Sequence, residues 1–439
     1  MLKKYSFYLL KSQKTILGIY SFICFFIFPL LVIVEGSSEY HDIAEMGLYI
    51  YAVILCIGTI LVPLISYYFT YNKRSVDVYY SLPIKREHLF DIHYFIPLLC
   101  LYLPIIINYC LGVIVGYIKN SKLMNPSLIL SSIGMMLCIL VIMFAAYSIV
   151  TFFIQKCNSF IDAIIISIST FVLPFITFLS GFSLTSRFLV PTGVDQGNLL
   201  SWILKLFSPV YNAFTYIEAL DYSPALKEFY FIIPYMLVIS IVLYGLARTS
   251  FVKRKGEDAS SVTKHILTYP FIINLMSLCI ISFIDFFNID SIESLIINLC
   301  IIFIVFIIMN FIARRKVIMN IWIIGKFLLY IGIVIIISLT ARHTDCFGLN
   351  NQLVTIDYDK VEVDLYDYDL HFTYDRDDQA KIDELQNLQL IASQKYKEGT
   401  YDLDYENCIN INITYYTDDD AEYRYYLLEK DEIPQFLFE

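Results

Sequence analysis

The sequence lacks the short motifs of nucleotide hydrolysis and of metal chemistry. No G-x-x-x-x-G-K-(S/T) phosphate loop occurs, since Gly325-Lys326 is followed by Phe327 inside an apolar run. No H-E-x-x-H or paired C-x-x-C motif occurs, and the six His are scattered along the chain. These absences argue against nucleotide hydrolysis by the phosphate-loop route and against an intramembrane metalloenzyme. We therefore expect a non-enzyme that binds no cofactor of its own.

Charge is also scarce. Charged residues make up 16% of the 439 positions and hydrophobic residues 58%, against about 25% and 45–50% in soluble domains. Apolar runs of roughly 20 residues are typical of membrane-spanning helices. The sequence therefore predicts a polytopic α-helical membrane protein with about nine transmembrane helices, at residues 16–34, 47–70, 92–118, 128–154, 159–180, 229–247, 267–288, 294–313 and 318–339.

Lys and Arg are concentrated on alternate connections, which predicts the orientation because short basic loops stay in the cytoplasm. The N-terminus and the connections after the second, fourth, sixth and eighth spans are basic, through Lys3, Lys4, Lys11, Lys14, Lys73, Arg74, Lys85, Arg86, Lys156, Arg248, Lys253, Arg254, Lys255, Arg314, Arg315 and Lys316. We expect a multi-pass protein of the cell membrane with a cytoplasmic N-terminus and an extracellular C-terminus. Residues 1–15 are expected to form an interfacial helix or to serve only as a positive topogenic tail.

The last 99 residues differ in composition from the rest. Residues 341–439 hold 8 Lys and Arg against 24 Asp and Glu, a net charge of -16, whereas residues 1–340 carry +6. Alternating apolar positions predict strands at 361–365, 370–374, 409–415 and 423–427, with a helix following Asp377 or Asp378. A small acidic extracellular α+β domain is expected. It could attract cationic peptides weakly, or its acids could simply keep the domain soluble.

Two cysteines, Cys346 and Cys408, lie in this tail. An extracellular location permits a disulfide between them, but their spacing does not show that they approach each other. The acidic run 418–420 lacks the spaced ligands of a known calcium loop, so a solvated turn is the better interpretation.

A polar stretch, YNKRSVDVYYSLPIKREHLF, separates the second and third predicted spans. The Leu82-Pro83 pair ends any helix that arrives from upstream. The mixture of apolar and charged side chains suits docking of a soluble partner, through Arg74, Asp77, Tyr80, Ser81, Leu82, Pro83 and Arg86. A purely topogenic role requires only Lys and Arg, and it does not explain Asp77, Ser81 or the Leu-Pro corner.

The run from Arg74 to Phe90 resembles the coupling loop of bacterial ABC transporter permeases of the type 2 exporter class, where a Ser-Leu-Pro-(Ile/Val)-x-Arg run follows the second span. The resemblance implies a six-helix permease core at 16–250 with a coupling loop at 71–91. The helices at 251–340 and the tail at 341–439 are similar to an extended Gram-positive subgroup associated with export of, or resistance to, peptides and other envelope-active compounds. The same resemblance implies two partners: an ABC ATPase subunit that carries ATP and Mg, and a second permease copy or a related permease.

Other functions stay open. An extracellular sensor would bind a ligand through its acidic tail without transport, and a polytopic lipid transferase comes third, since no nucleophile or metal cluster supports it. The lipid bilayer is an expected partner and nucleic acid is not.

Four further features lie in or between the predicted spans. Lys326 is either a functional intramembrane charge or a side chain that snorkels or packs against a helix. Asp162 and Asp285 lie near span ends, where water is expected to reach them. The segment 181–230 is expected to contain a re-entrant or surface pair of helices, and the prolines within spans, such as Pro97, act as hinges or as static kinks.

Overall fold

The computed structural model describes most of the chain, at residues 2–34, 40–119, 126–186, 196–218, 226–263, 265–284, 292–316, 321–344, 360–365, 370–375, 378–398, 408–416, 421–429 and 433–437. Cys346, Asp285 and the acidic run 418–420 lie outside the described residues. The candidate disulfide and the predicted turn therefore stay predictions.

The described residues form long helices followed by a small sheet. The helices are α1 (Leu2–Ile27), α2 (Pro29–Val34), α3 (Tyr40–Ser66), α4 (Lys73–Tyr80), α5 (Arg86–Lys119), α6 (Pro126–Lys156), α7 (Phe160–Ser186), α8 (Gln196–Phe207), α9 (Pro209–Glu218), α10 (Leu226–Lys253), α11 (Tyr269–Ser282), α12 (Ile292–Arg314), α13 (Ile321–His343) and α14 (Gln379–Glu398). The strands are β1 (Lys360–Leu365), β2 (Leu370–Asp375), β3 (Cys408–Tyr416) and β4 (Ala421–Glu429). The prediction of a polytopic helical membrane protein with a small C-terminal α+β domain is confirmed.

Eight of the predicted spans coincide with helices long and apolar enough to cross a membrane. The seventh, predicted at 267–288, corresponds to α11, which has 14 residues. Such a helix rises about 21 Å, less than the roughly 30 Å of the hydrocarbon core. At the N-terminus, α1 runs through the boundary predicted at residue 15 and ends at Ile27, and Phe28 separates it from α2, which begins at Pro29. The expected pair of short helices within 181–230 is present as α8 and α9.

The chain divides into two compact units. The first contains residues 1–175, 204–274 and 310–317. Its core is formed by buried side chains of α1, α2, α3, α5, α6, α9 and α10.

Phe28 lies at the centre of this packing. Its side chain is fully buried, and its ring stacks on Tyr109 of α5 at 4.9 Å between centroids. Gly47 of α3 and Gly112 of α5 contact the ring, and a methyl group at either position would overlap it. The two glycines therefore allow α3 and α5 to pack closely around the Phe28 ring.

Pro97 in α5 illustrates how a proline within a span is accommodated. Proline has no backbone N–H to donate to the carbonyl four residues earlier. For Pro97 that carbonyl belongs to His93. The Ser66 hydroxyl of α3 donates to that carbonyl instead, at 2.7 Å. The missing backbone bond is thus replaced by a neighbouring helix, as the apolar environment requires.

The second unit contains residues 176–203, 275–309 and 318–439. Within it, Phe306 of α12 contacts Phe327 and Tyr330 of α13. The C-terminal sheet is antiparallel, with strand order β2-β1-β3-β4. Side chains from alternate positions, such as Val363 and Ile411, form its core with the apolar stripe of α14.

The close packing around the Phe28 ring can be tested by substitution. Gly112→Ala should destabilise the protein by about 1–3 kcal/mol, because the added methyl group overpacks a filled core. Thermal unfolding of the detergent-solubilised protein measures this change. Gly18→Ala on α1 is the matched control, since an added methyl group there meets no atom within 4 Å. Equal midpoints for the two variants would contradict this account of the packing.

Candidate functional site

The predicted docking stretch forms a short helix and a turn, residues 72–86, which we call the coupling segment. Asn72 caps α4 by accepting a hydrogen bond from the Arg74 backbone at 3.1 Å. The helix ends as Leu82-Pro83 predicts: the Ser81 backbone donates to the Asp77 carbonyl at 3.1 Å, and the turn follows. The sequence therefore determines both ends of this element locally.

The coupling segment has an exposed tip and a packed base. Arg74, Asp77, Ser81, Pro83 and Lys85 are exposed, and Val78 is 63% exposed although it is apolar. In contrast, Val76 is buried, Leu82 is half-buried, and the Tyr79 ring stacks on Phe69 at 4.1 Å. One side of α4 is thus available for contact while the other is fixed to the protein.

Arg86 joins this segment to the end of α10. Its Nη1 donates to the backbone carbonyls of Val252 and Arg254, at 3.4 and 3.2 Å. Its guanidinium group lies 4.1 Å from the centre of the Tyr80 ring, a cation–π geometry. Arg86 and Tyr80, which the sequence predicted to contact a partner, therefore lie at the base of the segment rather than at its tip.

Arg254 continues the connection inward. Its side chain is buried, its Nη2 donates to the Thr70 carbonyl at 3.1 Å, and it lies over the Tyr71 ring. Burial raises the pKa of Tyr71 well above its ordinary value, so the hydroxyl stays protonated and donates to the Ile154 carbonyl at 3.2 Å. In the sequence, Arg254 is recognisable only as one of the basic residues that predict the orientation.

A second cluster joins α5 to α10. Arg248 donates through Nε to Asp91 at 3.0 Å and through Nη2 to Glu87 at 3.2 Å. The Tyr244 hydroxyl donates to the same Asp91 carboxylate at 2.7 Å. The helix that follows the coupling segment is therefore paired with α10 along its first two turns.

Asp162 corrects an expectation. Its predicted access to water is wrong, because the residue is only 3% exposed. It accepts hydrogen bonds from Thr263 at 2.7 Å and from Tyr269 at 3.0 Å, and both carboxylate oxygens accept from Arg315 Nη2 at 3.0 Å. Arg315 also donates to Ser159. The carboxylate thus links the start of α7 to α11 and to the end of α12.

The segment between α10 and α11 joins this cluster to the coupling segment. Ser260 adopts a left-handed backbone, with φ 63°, which is uncommon for a residue other than glycine. In that conformation its amide donates to the Asn158 carbonyl at 2.8 Å, and its hydroxyl donates to the Tyr71 carbonyl at 2.7 Å. The ends of α3, α6 and α10 and the starts of α7 and α11 therefore meet on one surface. We call this surface, formed by residues 70–86, 154–162, 248–263, 265–269 and 315, the loop face.

The remaining predicted residues lie elsewhere. Lys326 is exposed on α13 in the second unit, and its role stays a prediction. Among the described residues, no group of three or more His, Cys, Asp or Glu could hold a metal ion.

The Asp162 cluster predicts a measurable coupling. Arg315→Gln should destabilise the protein by about 2–4 kcal/mol, because it leaves a buried carboxylate without its counter-ion. Adding Asp162→Asn should recover part of that loss, since the neutral amide requires no counter-ion. Unfolding midpoints of the two single variants and the double variant measure the coupling. Arg314→Gln, at the exposed neighbouring residue, is the control, and additive effects of the two substitutions would contradict the contact.

No protein-family model matches this chain, and neither the curated proteins nor the solved structures contain a significant match.

Proposed function

We propose that this chain is the permease subunit of an ABC transporter of the type 2 exporter class. It would couple ATP hydrolysis by a separate ATPase subunit to export or removal of a peptide, a lipid-like molecule or another cell-envelope-active compound. The observation that carries the proposal is the coupling segment, which combines an exposed tip with a base fixed to the helical core.

The tip has the chemistry of a protein contact. Arg74 and Asp77 offer opposite charges, and Val78 offers apolar area at 63% exposure. Interfaces are stabilised mainly by a few apolar or aromatic anchors surrounded by polar groups. A soluble subunit with a complementary cleft could bind α4 without unfolding any part of the chain.

The base supplies the route for movement. Arg86 ties the segment to the end of α10, and α5 begins at the same residue. Arg254 ties the end of α10 to the segment after α3. A displacement of the tip would therefore move the ends of three helices together, as expected for rigid-body coupling in a transporter.

The remaining parts of the assembly follow from the resemblance. The partner ATPase would hold ATP and Mg, and a second permease copy or a related permease would complete the path. The start of α11 and the residue after α12 would move with the core, because Tyr269 and Arg315 both bond to Asp162.

The proposed topology places the loop face in the cytoplasm and the acidic domain outside the cell. Tyr269 begins α11 and Arg315 follows α12, and both contact Asp162. The chain therefore leaves the loop face at Tyr269 and returns to it at Arg315. Two crossings of the membrane between these residues keep the predicted total odd, even though α11 alone is shorter than the hydrocarbon core.

Substitutions in the coupling segment test the transport proposal. Val78→Asp should lower ATPase turnover by about tenfold or more in the reconstituted complex, since a buried charge would disrupt a central contact. Its unfolding midpoint should match that of the unsubstituted protein, because the side chain is exposed. Arg86→Glu and the pair Leu82→Ala with Pro83→Ala should also abolish coupled turnover while leaving membrane insertion intact. Lys4→Glu on α1 is the control, and normal turnover in all the coupling variants would refute the proposal.

Cysteine labelling of intact cells tests the topology. In a background without the native cysteines, Asp383→Cys on α14 should react with an impermeant maleimide and Lys255→Cys should not. Both positions are exposed, so burial cannot produce the difference. The reverse pattern would show that the orientation is inverted.

A further inference from the structure

The loop face contains a cavity of about 600 Å³ between the ends of α6 and α10. The segment that follows α10 closes it on one side, through Asp258 and His265. This cavity is separate from the Asp162 cluster, with which it shares no lining residue. Nothing in the proposed coupling of the helices requires it.

The charges that line the cavity are mainly positive. Lys156, Lys253 and Arg254 line it, against the single carboxylate of Asp258. Burial and the nearby Lys156 ammonium lower the pKa of His265, so this imidazole is neutral at pH 7 and the lining carries a net charge of +2. Like charges held together around a cavity favour an anionic ligand.

Buried polar atoms without partners also lie in this lining. Gln155 is only 4% exposed, and neither polar atom of its side chain has a hydrogen-bond partner among the described residues. Arg254 Nη1 is buried and unpaired in the same part of the chain. Buried polar groups are rarely left without a partner. Gln155 and Arg254 both line the cavity, so a phosphate bound there would lie beside two side chains that carry donors without partners among the described residues.

The position of the cavity indicates where such a phosphate comes from. Lys156 and Lys253 are the last residues of two membrane-spanning helices, which places the cavity at the depth of the lipid headgroups. Apolar side chains also line it, and two of them, Leu246 and Leu267, are 46% and 40% exposed. We propose that this cavity binds the phosphate of an anionic phospholipid, with the acyl chains lying against these apolar side chains.

Occupation of this site would affect the coupling segment. Arg254 Nη1 would bind the lipid phosphate, while its Nη2 bonds to Thr70 and its carbonyl accepts from Arg86. Lipid binding would hold Arg254 in the position that fixes the base of the segment. This regulatory consequence rests on the proposed function, whereas the binding itself does not.

Binding can be measured with the full-length protein in a neutral detergent. Phosphatidylglycerol, phosphatidylcholine and inorganic phosphate are titrated separately, and bound lipid is counted by native mass spectrometry alongside the unfolding midpoint. We expect phosphatidylglycerol alone to bind and to raise the midpoint. Equal binding of phosphatidylcholine would overturn a phosphate-charge site. An equal effect of inorganic phosphate would show that a soluble phosphate compound is the ligand instead.

Paired substitutions locate the site. Lys156→Gln with Lys253→Gln should weaken phosphatidylglycerol binding by about 25-fold, since each basic residue near an anionic headgroup contributes about fivefold. The control pair, Lys4→Gln with Lys255→Gln, removes the same charge from exposed residues outside the cavity and should bind as the unsubstituted protein does. An equal loss in the control would mean general surface attraction and would overturn the proposal.

Gln155→Met provides a test in a variant that should fold. It removes an unpaired buried amide and keeps the size of the side chain, which is neutral or stabilising without ligand. The gain in midpoint with phosphatidylglycerol should nevertheless fall, because the hydrogen bond to the phosphate is lost. Unchanged binding in both this variant and the lysine pair would refute the site. Loss of lipid binding with normal ATPase turnover would separate this proposal from the transport proposal.

Discussion

The loop face depends on the buried guanidinium group of Arg254. Because the Arg254 side chain is buried, its guanidinium group has little water to bind, and groups of the chain replace that water. Arg254 finds them in the Thr70 carbonyl and the Tyr71 ring, while its own carbonyl accepts from Arg86. Arg254 thereby joins the end of α10 to the segment after α3 through its guanidinium group, and to the start of α5 through its backbone carbonyl. The coupling segment keeps its orientation because these three elements are joined beneath it.

Arg248 and Arg315 apply the same constraint at other helix ends. Each pairs with a carboxylate from another helix, Asp91 for Arg248 and Asp162 for Arg315. The same basic residues are among those from which the sequence predicts the orientation in the membrane. These residues thus hold helices together at the surface that is expected in the cytoplasm.

The sequence predicted the features that local patterns determine. Apolar runs located the spans, alternation located β1 to β4, and Leu82-Pro83 located the end of α4. It did not predict the features that depend on distant contacts. Arg254 and Thr70 are 184 residues apart, and no local pattern shows that they meet. Asp162 was expected to contact water for the same reason, because its partners Thr263, Tyr269 and Arg315 lie more than 100 residues away along the chain.

The central claim is that the tip of the coupling segment contacts a nucleotide-hydrolysing subunit. A photo-crosslinking amino acid at Val78, introduced into the full-length protein in its native membrane, tests that contact directly. The account predicts one major crosslinked partner, which carries a phosphate-loop motif and binds ATP, and no such product from the same amino acid at Leu99, a 55% exposed position on α5 within the predicted span. Crosslinking of Val78 to a histidine kinase would favour the sensor, and crosslinking only to lipid would contradict the account.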